Sequence, residues 1–514
     1  MTPPDAALAS ASLAASTPLD HVDVLIIGAG LSGIGAACHL QTELPGKTLA
    51  ILEAREASGG TWDLFRYPGI RSDSDMYTLG YSFRPWPGAK SIADGPSILE
   101  YIRNTASDHG VDKKIRYGLR VVRAEWSSDE ARWTVEAERV GTGERVHVSC
   151  SFVFSCTGYY RYDQGYTPVF PGSERFAGQI VHPQHWPEDL DFTGKRVVVI
   201  GSGATAVTLV PAMADQAAHV TMLQRSPSYV ASLPARDAIA DRLRRLLPAK
   251  TAYAIVRWKN VLLTMLSYQI SRRRPKLMKA MLRKGLQKSL PASYDIDANF
   301  KPRYEPWDQR LCLVPDGDLF AAISSGRASV ETGLIETFTE KGLRLTSGKE
   351  LEADIIVTAT GLNMLALGGV TLVVDGETVR LSDTVGYKGM MFSGVPNLAA
   401  AIGYTNASWT LKCDLVSSYV CRLLAHMEEH GYQRVTPRWT QPTLPSRPFV
   451  DLASGYVLRS VGDFPRQGDA APWRLYQNYL RDLALFRYGD IEDGAVEFSS
   501  AAEPAGVEQQ RAAA

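Results

Sequence analysis

Apolar residues in this chain fall in short, nearly unbroken runs. Two of these runs, Val22–Ile27 and Lys195–Ile200, lead directly into a glycine-rich turn and then into a helical pattern. Strands that are apolar on both faces are typical of a parallel sheet covered by helices. Further strand-like runs are Thr48–Leu52, Leu119–Trp126, Arg132–Ala137, Ser151–Cys156, His219–Gln224 and Ala353–Val357. The pattern predicts an α/β protein with two Rossmann-like dinucleotide-binding domains.

The first glycine turn carries Gly28, Gly30, Ser32 and Gly33, and the next strand ends at Glu53. Glycines at this spacing allow a tight turn and a close approach of the backbone to a pyrophosphate, with a helix N-terminus facing the phosphates. A carboxylate after the second strand binds a ribose hydroxyl and repels a ribose phosphate. This unit is therefore predicted to bind FAD or NAD rather than NADP.

The second glycine turn carries Gly201 and Gly203, with Ala206 at the third position. Its next strand ends in Arg225 and Ser226 instead of an acid. A cation and a hydroxyl there suit the 2′-phosphate of NADPH. The assignment that follows is FAD in the first unit and NADPH in the second.

The loop of residues 59–73 is too rich in Gly, Pro and aromatic residues for a helix to be expected. Such a loop can lay Trp62 and backbone groups against a flat ring system. Asp73 ends the loop, and local pattern alone also fits it as the N-cap of a helix over residues 74–79.

The order of these units predicts the domain boundaries. We expect a disordered arm (1–21), a first FAD-binding segment (22–158), an NADPH-binding domain (159–361) with a helical insertion at about 231–300, a second FAD-binding segment with substrate-pocket elements (362–495), and a flexible tail (496–514).

Composition narrows the possible partners and location. The 514 residues have zero formal net charge, so no overall field indicates nucleic acid, and the six cysteines lack metal-ligand spacing. The chain is expected to be cytoplasmic. Residues 236–290 hold 15 Lys and Arg against two Asp in an amphipathic helical pattern. That pattern fits a solvated helical lid and also fits peripheral contact with a membrane surface.

Two longer motifs carry a family resemblance. Phe176, Gly178, His182, Trp186 and Pro187 fill FxGxxxHxxxWP, and Gly59, Gly60, Trp62, Tyr67, Pro68, Gly69 and Asp73 fill GGxW…YPGxxxD. The chain resembles the type I Baeyer–Villiger monooxygenases over about residues 22–490. The resemblance implies conversion of ketones to esters through a C4a-peroxyflavin, with oxidation of sulfur in sulfides or thioamides as a second activity.

The resemblance also implies site residues. FAD contacts fall on Gly28, Gly30, Ser32, Gly33, Glu53, Gly60, Thr61, Trp62, Asp63, Leu64, Asp73 and Val121, and NADP contacts on Arg71, Ser72, Gly201, Ser202, Gly203, Ala204, Thr205, Ala206, Val207, Arg225 and Ser226. Arg310 is the implied catalytic cation and Asp73 its partner. Many family members have Lys before that arginine, whereas this chain has Gln309, which could weaken selectivity for NADPH over NADH.

The remaining motif residues are expected to have structural or pocket-lining roles. His182 lies on an inter-domain connector, so we expect it to orient the domains rather than to act as an acid or base. Asn406, Ser408 and Trp409 are expected to line the substrate pocket, with a helix-capping turn as the alternative. Two other functions stay open: a flavin monooxygenase acting on sulfur or nitrogen, and a non-catalytic nucleotide-binding or membrane-surface protein.

Overall fold

The computed structural model describes residues 20–500. Its strands are β1 (Asp20–Ile27), β2 (Leu49–Leu52), β3 (Ile115–Arg116), β4 (Leu119–Ser127), β5 (Arg132–Arg139), β6 (Arg145–Ser155), β7 (Gln179–Val181), β8 (Arg196–Ile200), β9 (His219–Gln224), β10 (Val230–Leu233), β11 (Cys312–Pro315), β12 (Ala328–Thr332), β13 (Ile335–Thr339), β14 (Gly342–Leu345), β15 (Glu350–Glu352), β16 (Ile355–Thr358), β17 (Thr371–Val374), β18 (Glu377–Val379), β19 (Gly386–Tyr387), β20 (Met391–Phe392), β21 (Leu398–Ala400), β22 (Arg434–Pro437) and β23 (Val496–Ser499). Its α-helices are α1 (Leu31–Glu43), α2 (Thr61–Leu64), α3 (Met76–Leu79), α4 (Gly95–Asp108), α5 (Ala204–Ala214), α6 (Ala238–Leu246), α7 (Ala249–Arg273), α8 (Pro275–Ser289), α9 (Ile296–Phe300), α10 (Asp318–Ser324), α11 (Trp409–His430), α12 (Gly455–Leu458) and α13 (Tyr479–Arg487).

The larger sheet has nine strands in the order β18-β17-β4-β5-β6-β1-β2-β3, with β21 also paired to β6. β6, β1, β2 and β3 are parallel neighbours, and the register places Ile27 opposite both Leu52 and Ser155. Three strands therefore end at one edge. Gly28, Glu53 and the turn after β6 meet there, which is where an open α/β sheet binds its ligand.

The second sheet is entirely parallel, in the order β12-β9-β8-β16-β7. Ile200 at the end of β8 lies opposite Leu223 in β9 and Thr358 in β16, so the second glycine turn again follows the carboxyl edge of its sheet. The predicted fold class, an α/β chain with two Rossmann-like units, is confirmed by these two sheets and their helices. The domain boundaries stay a prediction.

Several local predictions need correction. Asp20 and His21 belong to β1 rather than to the arm, because they pair with β6, and residues 496–499 form β23 rather than tail. The rest of the predicted arm and tail, residues 1–19 and 501–514, lies outside the described residues. Thr61–Leu64 forms one helical turn in a loop predicted to have none.

The basic insertion is helical, as its pattern predicts. Helices α6, α7, α8 and α9 lie between β10 and β11, which pair with each other and close the insertion at its base. α7 packs against both α6 and α8. Across residues 20–500, no helix is long and apolar enough to cross a membrane.

Candidate active site

The first glycine turn needs glycine for steric reasons. Gly28 has a φ of +101°, and a Cβ there would lie 2.7 Å from the carbonyl oxygen of Cys156; at Gly33 a Cβ would lie 1.9 Å from the carbonyl oxygen of Gly28. Gly30 faces Gly60 across the turn, where a Cβ on Gly60 would lie 3.0 Å from the Gly30 Cα. The two glycine loops thus form a cradle that any side chain would fill.

Glu53 ties this turn together. Its buried carboxylate accepts the backbone N–H of Ala29 at 2.7 Å and that of Arg55 at 2.9 Å. The pKa of Glu53 is raised, because the effect of burial outweighs that of the two hydrogen bonds, which lower it. The carboxylate lies directly after β2, in the position predicted for a ribose contact.

Asp63 does not line the cavity beside the cradle. Its buried carboxylate pairs with Arg55 and accepts a hydrogen bond from Arg103 at 2.8 Å. The side chains of Leu64 and Val121 are likewise absent from the cavity beside the cradle. These three residues do not line that cavity, and their FAD contacts stay a prediction.

Arg310 and Asp73 form an ion pair, with Nη2 to Oδ2 at 2.5 Å. The Asp73 carboxylate raises the pKa of Arg310 above its already high ordinary value, so the guanidinium stays charged. Both side chains are about one-third exposed. The helix-cap alternative for Asp73 is wrong, because Asp75 caps α3 by accepting the N–H groups of Tyr77 and Thr78.

Two cavities meet at this ion pair. The smaller cavity has a volume of about 270 Å³. It is lined by the cradle around Gly30 and Gly60, by Thr61 and Trp62, and by Arg71 and Ser72. The larger, of about 670 Å³, lies between the helical insertion and the loop that precedes α11. They share the residues Asp73, Ser74, Arg310, Leu313, Tyr404, Ala407 and Ser408. A group in the smaller cavity and a molecule in the larger one would therefore both contact Arg310.

The basic insertion holds the loop that carries Arg310. Arg272 of α7 donates to Asp308 at 2.6 Å, and Lys279 of α8 donates to Glu305 at 2.7 Å. Trp307, with a φ of +71°, packs edge-on against Tyr268 of α7. The position of Arg310 therefore depends on the insertion as well as on Asp73.

Trp409 forms a wall of the smaller cavity. Its indole N–H donates to Ser32 Oγ at 2.8 Å, and its ring stacks on Tyr159 at 5.0 Å between centroids. Ser408 takes the N-cap position of α11 without a capping hydrogen bond, and its hydroxyl instead pairs with that of Thr78 at 2.6 Å. The side chain of Ser408 therefore does not cap α11, in contrast to the helix-capping alternative.

Asn406 and Ser408 line the larger cavity, as predicted for the substrate pocket. Asn406 is buried and its amide donates to the carbonyl of Gln477 at 2.9 Å. Ser408 also lines the smaller cavity, so it lies near the junction with Arg310.

Sequence reasoning missed two tyrosines at this site. Tyr159 and Tyr160 line the smaller cavity, and their hydroxyl groups lie 2.8 Å apart. Burial raises the pKa of both, so both hydroxyls stay protonated. They directly follow Thr157 and Gly158 in the turn after β6, and that position at the nucleotide edge was the signal available.

The second glycine turn is built like the first. Gly201 has a φ of +141°, and a Cβ there would lie 2.3 Å from the carbonyl oxygen of Ala359. Ser202 pairs with the Ser228 hydroxyl at 2.7 Å. Gly203 is the N-cap residue of α5, and Ala204 and Thr205 after it line the smaller cavity. Ala206 and Val207 are buried in the hydrophobic core around the second sheet, here called the second core.

Arg225 and Ser226 are exposed directly beyond β9. Among residues 20–500, no carboxylate forms an ion pair with Arg225, so its guanidinium is available to a phosphate. Arg71, by contrast, pairs with Asp318, and Ser72 is buried with its backbone N–H bonded to the carbonyl of Ala93. An NADP phosphate would have to compete with Asp318 for Arg71.

The FxGxxxHxxxWP segment joins the two sheets. Phe176 packs on Phe338, and a Cβ on Gly178 would lie 2.3 Å from the Asp354 carbonyl, next to edge strand β7. His182 Nδ1 accepts the N–H of Gln184 at 3.1 Å.

Gln184, in turn, donates to the carbonyls of Arg161 and Tyr162, on the connection that leaves β6. Trp186 packs against the second core, and Pro187 follows it at the surface. Burial lowers the pKa of His182, and His182 lines neither cavity. This geometry supports a positioning role.

The residues present fit the two predicted cofactors. The glycine cradle, the carboxylate after β2 and the adjoining cavity suit FAD, and the second turn with the free cation after β9 suits NADP(H).

Known proteins support this assignment. Residues 90–366 match the model of the flavin-binding monooxygenase-like family, and residues 26–89 match an NAD(P)-binding Rossmann-like domain. The chain is 56% identical over 489 residues to the FAD-containing monooxygenase EthA of Mycobacterium tuberculosis, covering 95% of this chain and 100% of the relative. It is 53% identical to EthA of Mycolicibacterium smegmatis, covering 93% and 97%.

A solved structure shares the fold. The oxidised steroid monooxygenase bound to NADP superposes with a TM-score of 0.73 at 22% identity, covering 93% of this chain and 100% of that one. The predicted family resemblance and the predicted cofactors, FAD and NADP(H), are confirmed by these matches. This chain belongs to the flavin-binding monooxygenase family.

Proposed function

We propose that this enzyme is a Baeyer–Villiger monooxygenase. It would convert a linear aliphatic or aryl-methyl ketone, O₂, NADPH and a proton to an ester, water and NADP⁺. The observation that best supports this proposal is the Arg310–Asp73 ion pair at the junction of the two cavities. A fixed cation is what insertion of oxygen beside a carbonyl needs, since negative charge develops on oxygen during the reaction.

Bound FAD would accept a hydride from NADPH and activate molecular oxygen. The chain supplies the surroundings of that chemistry. The loops around Gly30 and Gly60 would hold the dinucleotide, while Trp409, fixed by Ser32 and by stacking on Tyr159, would bound the ring system on one side.

Arg310 would stabilise the negative charge on oxygen while the ketone carbon is attacked. Electrostatic stabilisation is strong only where the charged group is already oriented and water is largely excluded. Asp73 provides that orientation from one side, and the loop clamped by Arg272 and Lys279 provides it from the other. Arg310 is thus the candidate catalytic residue and Asp73 its positioning partner.

The larger cavity would hold the ketone. Its volume of about 670 Å³ accommodates a drug-sized molecule. Its apolar members include Leu263, Met265 and Leu411, and Asn406 and Ser408 place polar groups near the Arg310 end. This distribution suits a substrate with one carbonyl and a long or bulky apolar remainder.

Oxidation of sulfur in sulfides or thioamides is the second activity that we propose for the same site. Transfer of oxygen to sulfur uses the nucleophilic lone pair of sulfur and does not require a cation at Arg310. Removal of Arg310 should therefore separate the two reactions.

The test is to purify the full chain with FAD and supply NADPH, oxygen and either a 2-ketone, an aryl-methyl ketone or an aryl-methyl sulfide. Ester that carries one atom from labelled oxygen gas supports the proposal. Sulfoxide without ester would make the enzyme a sulfur oxygenase, and bound FAD without substrate-dependent NADPH consumption would indicate a non-catalytic nucleotide-binding protein. Either result would reject the Baeyer–Villiger assignment.

A further inference from the structure

Helix α7 presents an apolar stripe to solvent. Ile255, Trp258, Leu262 and Leu266, here called the outer stripe, are 45%, 42%, 50% and 57% exposed. Their spacing of three, four and four residues places them on one side of the helix. At about 1.5 Å per residue the stripe is roughly 17 Å long. Contiguous exposed apolar residues of this kind mark a surface that contacts something else.

The opposite side of α7 is fixed to the body of the protein. Arg257 donates to Asp414 at 3.0 Å and to the carbonyl of Gly80 at 2.7 Å, and the Tyr253 hydroxyl donates to the carbonyl of Tyr81 at 3.0 Å. Because this inner side is buried and hydrogen-bonded, α7 cannot turn its outer stripe inward without breaking those bonds. The stripe therefore stays at the surface.

Unpaired cations flank the stripe at both ends of α7. Exposed Arg242 and Arg245 lie on α6, just before α7 begins, exposed Lys250 lies in the first turn of α7, and exposed Arg273 and Arg274 lie at its end. Within residues 20–500, none of these five forms an ion pair with a carboxylate within 4.0 Å. Their charge is thus directed to the solvent.

We propose that this face docks on an anionic lipid bilayer, with the outer stripe at the boundary between headgroups and acyl chains. An amphipathic helix with an apolar side flanked by Lys and Arg lies in the plane of such an interface. Anionic headgroups attract each nearby cation. A second copy of the chain is a poorer partner, because a symmetric contact would bring the same cations face to face.

The exposed lining residues of the larger cavity, here called its mouth, adjoin this face. Leu233, Ile239 and Leu263 line that cavity and are 45%, 54% and 54% exposed. Leu263 is next to Leu262 in α7, and Trp258 of the outer stripe packs edge-on against Tyr479, another lining residue. Docking would therefore place the mouth against lipid, so that an apolar substrate could enter from the bilayer. This consequence rests on the proposed function, whereas docking itself does not.

Vesicle flotation of the full FAD-loaded chain tests docking without any measurement of catalysis. Neutral phosphatidylcholine vesicles are compared with vesicles that contain about 30 mol% phosphatidylglycerol. We expect binding to the anionic vesicles only, weakening at least tenfold between about 50 mM and about 500 mM salt.

Two double variants separate the apolar and charged parts. Leu262→Ser with Leu266→Ser, and Arg273→Gln with Arg274→Gln, should each lower partitioning onto anionic vesicles about tenfold or more. Leu334→Ser is the matched control, because Leu334 is 53% exposed in another part of the protein. It should bind as the parent does. Flavin absorbance and melting temperature establish that each variant is folded.

Three outcomes would overturn the proposal. The first is a parent chain that fails to float with anionic vesicles at low salt. The second is an outer-stripe variant that binds as tightly as the Leu334→Ser control. The third is absence of vesicle binding together with self-association that the outer-stripe variant abolishes, which would make a second copy the partner.

Discussion

Replacement of Arg310 by Ala, compared with replacement of Asp73 by Asn, tests the central feature of the site. The first change removes the cation that both cavities share. The second keeps the shape of the side chain but removes the charge that orients the cation. Neither change touches the second glycine turn or Arg225, so binding of NADPH should persist in both variants.

The structure sets the size of the expected effects. Two unit charges about 4 Å apart interact by about 4 kcal/mol at an effective dielectric constant near 20 and by about 1 kcal/mol in water. Arg310 and Asp73 are 35% and 33% exposed, so an intermediate value of about 2 kcal/mol is appropriate. Asp73→Asn should therefore slow ester formation by about 10- to 30-fold. Arg310→Ala removes the stabilising charge itself and should slow it by at least about 10²- to 10³-fold.

Two measurements on the same preparations decide the matter. Rapid mixing of the oxidised enzyme with NADPH under anaerobic conditions reports reduction of the flavin, which should change by less than about threefold. Ester yield with a 2-ketone should fall in the order parent, Asp73→Asn, Arg310→Ala. Ester formation by Arg310→Ala at the parent rate would refute the reasoning. An equal loss of flavin reduction and ester formation would instead assign Arg310 to nucleotide binding.

Three further predictions concern other parts of the chain. Arg225→Ala should raise the KM for NADPH by about 10- to 100-fold with little effect on the KM for NADH, because a charged hydrogen bond to phosphate contributes about 1.5–3 kcal/mol. His182→Ala should slow turnover while the ratio of ester to alcohol from a given ketone stays unchanged, because His182 lines neither cavity. The free energy of unfolding should decline by up to about 3 kcal/mol as pH rises from about 6.5 to 9. Burial lowers the pKa of His39, but Asp414 and Glu43 outweigh burial and raise it to about 9. The stabilisation is therefore complete below pH 6.5 and lost as His39 deprotonates.

Each of these predictions has a control and a contrary outcome. An equal rise of KM for NADH and NADPH in Arg225→Ala would remove Arg225 as the phosphate contact. An altered product ratio in His182→Ala would indicate a role in the chemistry itself. Urea unfolding of His39→Gln should lack the decline above pH 6.5, and the same slope in that variant would assign the decline to another group.

The sequence by itself determined the two nucleotide units. Both glycine turns, the acid after β2 and the cation after β9 stand where the sequence predicts them, and the strand His219–Gln224 has the predicted bounds. These features are readable because they are local. A tight turn needs glycine within a few residues, and a strand buried on both faces is apolar along its length.

Only the tertiary structure decided what the side chains at the site do. Local pattern allowed Asp73 to cap a helix, but its neighbour Asp75 does so, and Asp73 meets Arg310 from a distant part of the chain. In the same way Trp409 meets Ser32 across the fold.

The sequence also could not predict which side of α7 faces solvent. Apolar residues occur on both sides of this helix, so periodicity does not distinguish them. Long-range contacts and the choice of a buried helix face depend on how the sheets, the insertion and α11 pack together, which short-range propensity does not contain.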